Sequence, residues 1–186
     1  MGQRDPVLSI VCTEPEGTTL RHVRPVNLTT EKLRDYHEKL SEFDIAFNDH
    51  VPNTPEGFAS MFISVNADFT VSAKGLLFEV DDVGILYITQ IVPGYSALAH
   101  FAFWDRRLRG REELCRKMLE FAFRTYDFQR IETRVALYAV PAMAATERIG
   151  FIKEGRAREA VRRNGTWYDV NLYSMLRREA LNVTGS

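Results

Sequence analysis

The chain has 186 residues, 45% of them hydrophobic, which suffices for one sizeable core and is short for two, so one domain is expected over 1–186 with flexible tails at 1–16 and 181–186. Twenty-four Lys and Arg against 25 Asp and Glu leave a net charge of −1, which argues against a nucleic-acid footprint or attraction to an anionic membrane. Two cysteines, Cys12 and Cys115, cannot build a disulfide framework, Met1 to Asp5 lacks a signal-like apolar stretch, and no run of about 18 apolar residues occurs, so a cytoplasmic protein is expected and the sequons at Asn27 and Asn182 read as chance.

Leu20 to Val26 reads as a strand, followed at Thr29 or Thr30 by a helix on which Leu33, Tyr36, Leu40 and Phe43 recur at helical spacing. Thr54-Pro55 opens a second helix, with Phe58, Phe62 and Val65 expected on one face. From Gly75 the pattern changes to a meander of three strands: Leu76 to Val80, Gly84 to Val92 and Ala97 to Trp104. Arg111 to Tyr126 is the strongest helix, with Leu114, Met118, Ala122 and Tyr126 in one row and Cys115, Leu119 and Phe123 in the next. Arg130 to Val140 alternates as a strand, presenting Ile131, Thr133, Val135 and Leu137 on one face. Pro141 starts a short helix that Gly150 ends. Phe151 to Arg163 and Thr166 to Arg177 form a final strand pair around Asn164-Gly165, the dipeptide suited to a two-residue turn with positive φ at both positions.

Several short motifs fall along this order: Arg106-Arg107-Leu108-Arg109-Gly110-Arg111 before a helix ending in Phe121-Ala122-Phe123; Arg130-Ile131-Glu132; Glu147 to Gly155 with Arg158 beyond; and Arg162 to Val170 with Tyr173 to Leu176. Each alone is weak, but their joint spacing over Arg106 to Arg178 resembles the GNAT acyltransferases, in particular the branch that acetylates ribosomal-protein N-termini. The resemblance implies an α+β fold with a mixed, mostly antiparallel central sheet and helices on both faces. It implies acetyl-CoA as co-substrate, its pantetheine arm in a notch between the strand ending at Phe103 and Trp104 and the strand Arg130 to Val140. The pyrophosphate would then rest on the start of the Arg111 helix, whose free N–H groups suit an anion. Arg106, Arg107, Arg109, Gly110, Arg111 and Glu112 thereby become donor-binding candidates with Phe103 and Trp104. The family's loop places glycine or another small residue twice where backbone touches phosphate; here, with Arg107 as the leading base, only Gly110 matches and Glu112 takes the second place, whereas the register counted back from Phe121-Ala122-Phe123 puts Arg109 and Arg111 at the two places and leaves no matching glycine. Ala139 and Ala142 stand where related enzymes carry Asn and Ser.

Acyl transfer needs a group to take the amine's proton and one to protonate the thiolate. Candidates are His100, as a base working near neutral pH if its side chain faces the cleft with Leu98, Ala102 and Trp104; Asp105 beside the donor loop; and Tyr138 and Ser174, with Tyr173, as acids or substrate contacts. Plainer roles compete with each: a packed strand histidine, a carboxylate capping the loop or pairing with Arg107, packed aromatics, and a solvated arginine loop. No metal-ligand spacing, nucleophile elbow or phosphate-binding fingerprint is present. The expected activity is transfer of an acetyl group to an amine by direct attack in a ternary complex. The rival is a silent module of the same fold that holds a protein partner without acetyl-CoA. A protein N-terminus is one candidate acceptor, nucleic acid and membrane are not expected partners, and a homodimer stays open.

Overall fold

The computed structural model describes residues 8–14, 17–43, 46–68, 70–105 and 108–181, giving backbone alone at residues 8, 10–14 and 17–20. Among these described residues, strands and helices follow in the order β1 (Leu8–Glu14), β2 (Gly17–Pro25), α1 (Thr30–Ser41), α2 (Pro55–Ala59), β3 (Ile63–Val65), β4 (Val71–Ala73), β5 (Gly75–Val80), β6 (Gly84–Val92), β7 (Ser96–Phe103), α3 (Arg111–Tyr126), β8 (Arg130–Ala136), α4 (Val140–Ile149), β9 (Ile152–Arg163), β10 (Thr166–Leu176) and α5 (Arg177–Ala180). Eight of the strands form one sheet in the order β1-β2-β5-β6-β7-β8-β10-β9, antiparallel throughout except where β7 meets β8. Strands with helices packed on them make this an α+β fold.

Successive strand residues point to opposite faces, and in the middle of this sheet both faces are covered. Leu77, Ile85 and Tyr87 therefore pack with Leu33, Tyr36 and Leu40 of α1 and Phe58 of α2. Their neighbours Phe78, Leu86 and Ile88 pack with Leu114, Met118, Leu119 and Phe123 of α3 on the other side. Those four α3 side chains are at most 1% exposed, and each contributes about 2 kcal/mol on burial. Thr29 caps α1 by accepting from the Lys32 N–H at 3.2 Å, and Thr54 caps α2 by accepting from the Gly57 N–H at 3.0 Å. The Asn164-Gly165 turn has φ of 51° and 76°, both in the left-handed region.

Three expectations change. Leu8 to Glu14, within the predicted N-terminal tail, is an edge strand running antiparallel to β2, while residues 182–186 of the predicted C-terminal tail lie outside the described residues. Helix α2 stops at Ala59, so Val65 leaves the face of Phe58 and Phe62 and sits 66% exposed. It belongs to the β3–β4 pair, three residues a strand and too short to show a period. Strand β8 ends at Ala136 rather than Val140: the Leu137 N–H still donates to the Asp169 carbonyl of β10, but the Ala139 N–H turns back to the Ala136 carbonyl and the chain leaves the sheet.

Candidate functional site

Strands β7 and β8 run parallel and pair only at Ser96 with Arg130, Ala97 with Ile131 and Leu98 with Glu132. Beyond Leu98 they diverge, so the facing backbone groups of residues 99–103 and 133–136 have no ladder partner between the two strands. A cavity of about 410 Å³ opens in this wedge on the α3/α4 side, bordered by Phe101, Phe103, Thr133, Ala142 and the start of α3. A second cavity, about 450 Å³, opens on the α1/α2 side against the β9–β10 hairpin. The two have three bordering residues in common: His100, Arg134 and Val135.

The start of α3 is shaped by Gly110, whose φ of 66° is left-handed and supplies the N-cap without a side chain. The Arg111 guanidinium donates to the Leu108 and Asp105 carbonyls, each at 3.0 Å, and so ties the preceding turn. In the first turn the Glu112 carboxylate accepts from Arg148 of α4 at 2.9 Å (Nε) and 2.8 Å (Nη2). Hydrogen bonding from Arg148, then from its own backbone N–H, holds Glu112 below the usual carboxylate range. A carboxylate of the chain itself therefore lies at the anion-favouring end of α3, between the wedge cavity and an open surface hollow floored by Arg116 and Lys117.

His100 stacks on Tyr87 with ring centroids 6.2 Å apart and borders both cavities. Burial, then the Arg134 charge, push its pKa down to about 4, so it is a neutral imidazole at pH 7. The expectation of a base titrating near neutral pH is corrected by this, although the predicted position beside the cleft stands. Tyr138 lies in the turn after β8, borders the α1/α2-side cavity, and meets Tyr168 edge-on at 5.1 Å with the Arg163 guanidinium 4.7 Å from its ring.

Other predicted residues fall elsewhere. Ser174 is buried at the closed end of the wedge, opposite Glu132 and Ile152 in the ladders, where its hydroxyl donates to Glu154 at 2.7 Å. It serves the Arg130–Glu132–Glu154 ion network and borders neither cavity. Tyr173 is 1% exposed and donates to Glu147 at 3.2 Å. Trp104 turns toward α1, stacking on Tyr36 at 5.7 Å and donating to the Asp82 carbonyl at 2.7 Å, so it is not a wall of the wedge. Asp105 contributes its carbonyl to the Arg111 turn. Arg109 is exposed and outside the wedge lining, Gly110 borders the surface hollow, and Arg106 and Arg107 lie outside the described residues. The residue missed from the sequence is Arg134: in an alternating strand it counts as one of the outward polar positions, and only the divergence of β7 and β8 places it at a junction.

No group of three or more His, Cys, Asp or Glu among the described residues could hold a metal ion, and no helix among them is long and apolar enough to cross a membrane.

Residues 66–172 match the family model described as Acetyltransferase (GNAT) domain. The chain is 29% identical over 117 residues to the Bacillus subtilis (strain 168) protein named "Putative ribosomal N-acetyltransferase YdaF", covering 61% of this chain and 63% of that one. It is 31% identical over 108 residues to "Probable N-acetyltransferase YjcK" of the same organism, covering 55% and 60%, so the matches span under two thirds of these relatives' own length. Among solved structures, a chimera of the Vibrio cholerae spermidine N-acetyltransferase SpeG and hSSAT superposes with a TM-score of 0.67 at 20% identity, covering 86% of this chain and 98% of that one. The ribosomal-protein-S5-alanine acetyltransferase of Vibrio fischeri gives 0.61 at 16%, covering 84% and 93%. With more than half its length matched by the family model and its sheet opened into the wedge described, the chain belongs to the GNAT acetyltransferase family.

Proposed function

We propose that this chain is an acetyl-CoA-dependent N-acetyltransferase that works by direct transfer in a ternary complex. The observation that carries the reading is the β7–β8 wedge, with a cavity on each face of the sheet and a shared junction at His100, Arg134 and Val135. Two substrates entering from opposite faces would meet there without a covalent enzyme intermediate. Unpaired backbone along the wedge offers hydrogen bonds to the amides of a pantetheine arm, and the start of α3 with Arg148, Arg116 and Lys117 offers charge to its phosphates. When bound, acetyl-CoA supplies an activated thioester carbonyl. The amine nitrogen would form the new C–N bond as the C–S bond breaks and the bonding pair leaves on sulfur, the nitrogen's proton would pass to solvent, and the thiolate would take a proton from solvent through the open cavities. His100, neutral, accepts a hydrogen bond from the amine and orients it rather than storing its proton. The acceptor is an amine; the relatives' names raise a protein N-terminus and a polyamine.

Calorimetry with acetyl-CoA tests this. A dissociation constant on the order of micromolar is expected, lost on Ala142→Trp, which would fill the wedge from an exposed position of α4. Absence of binding heat for the unmodified protein would overturn the reading and favour the silent module. Glu112→Gln removes the carboxylate that competes with phosphate for the helix start and is expected to tighten binding by about two- to fivefold.

A further inference from the structure

The cavity on the α1/α2 side is walled chiefly by small and apolar side chains, among them Ala46, Val51, Met61, Ala157, Ala160 and Leu172. No carboxylate is among its described lining residues. Nearby carboxylates are engaged elsewhere: Glu132 with Arg130, Asp169 with Arg156 and the Glu159 N–H, and Asp49 with Arg162. The one charged residue of the described lining is Arg134, which is exposed and makes no ion pair with any described carboxylate. Arg130, Arg156 and Arg162, on the same three-strand end of the sheet, are each on an acidic partner. Unpaired surface arginines are common; Arg134 differs from them in bordering both cavities at the point where they meet.

We propose that the acceptor is an amine that carries its own carboxylate beside a small apolar side chain, an apolar α-amino acid, and that Arg134 binds that carboxylate. This deepens the transferase reading and rests on it. In an α-amino acid one carbon separates the amine from the carboxylate, so an amine placed at the His100 junction delivers the carboxylate to the same junction, within the reach of Arg134. A guanidinium binds a carboxylate in bidentate fashion, whereas a peptide N-terminus offers it only a neutral carbonyl, a weaker partner. A polyamine fits worse, because its second ammonium finds no carboxylate in the described lining and is repelled by Arg134. The small side chains of the wall leave room for a leucine-sized group with no polar partner demanded of it.

The test is acetyl transfer by the full chain from acetyl-CoA to L-leucine, L-leucinamide and spermidine, with calorimetry of acetyl-CoA run alongside. L-leucine is expected to exceed its amide by about tenfold or more in kcat/KM, chiefly through KM, and spermidine by more. Arg134→Gln should abolish the preference for acid over amide, and Arg134→Lys should restore part of it. Preference of the unmodified protein for leucinamide would overturn the proposal in favour of a protein N-terminus. Preference for spermidine, equal losses on both leucine substrates in Arg134→Gln, or acetyl-CoA binding with no transfer to leucine would overturn it as well. Failure of acetyl-CoA itself to bind would instead remove the transferase reading beneath it.

Discussion

At His100 burial and a neighbouring cation act in the same direction, both against the imidazolium. The folded-state pKa of about 4 lies below the ordinary histidine value of 6.5, so the unfolded chain binds more protons between those values. The resulting stability is complete above pH about 6.5 and is lost as pH falls toward 4, at most about 3 kcal/mol for this one group at about 1.4 kcal/mol per pH unit. Urea unfolding at pH 7.5 and pH 5 is expected to show this loss in the unmodified protein, and His100→Gln is expected to flatten it. The strand position of His100 was legible from the residue pattern and the cleft beside it from the family resemblance; its protonation was not, because the burial and the Arg134 charge come from elements remote in the chain. The same reason misplaced Trp104 and Ser174. Alternation says which face a side chain takes, and not whether that face at that height is an ion network, a helix contact or a cavity.

Helix α3 borders the wedge cavity at its start, and its two ends are held differently. Its start depends on Gly110 and on Arg111 folding back over the Asp105 to Leu108 turn. Its end is held from the far terminus of the chain: Arg177 donates to the Phe123 carbonyl at 2.6 Å and the Phe128 carbonyl at 3.2 Å, and pairs with Asp127 at 3.0 Å. The Phe123 carbonyl is one that a helix end leaves without an intrahelical donor, so Arg177→Ala is expected to destabilise the fold by about 2 kcal/mol, measured as a lower urea midpoint. Most of α3 was legible, since apolar positions recurring every three to four residues over sixteen residues match a helix and clash with the two-residue period of a strand. The start of α2 at Thr54-Pro55 was legible from its cap, but its end at Ala59 and the β3–β4 pair were not, because elements of three to five residues are defined by partners rather than by a period.

Across the whole molecule, the cavity on the α1/α2 side lies between segments more than a hundred residues apart that are clamped together. The Asp49 carboxylate accepts from the backbone N–H groups of Asn164 at 2.7 Å and Gly165 at 3.1 Å and from Arg162 at 2.9 Å, joining the loop before α2 to the β9–β10 turn. These bonds, the Gly165 N–H foremost, hold Asp49 below the usual carboxylate range. Asp49→Ala is expected to raise the acceptor KM several-fold with acetyl-CoA affinity retained, and to speed amide exchange at Asn164 and Gly165. Sequence by itself determined the order of the longer elements, the caps, the hairpin turn and the membership of a family, because those follow from local periodicity, backbone preference and short motifs in a fixed order. The parting of β7 and β8 was implied by the family resemblance, but tertiary structure alone decided that it begins after Leu98, that Arg134 and His100 both border the gap, and that Glu112 turns to Arg148. Strand divergence and charge pairing depend on what each element packs against, and those neighbours are remote in the chain.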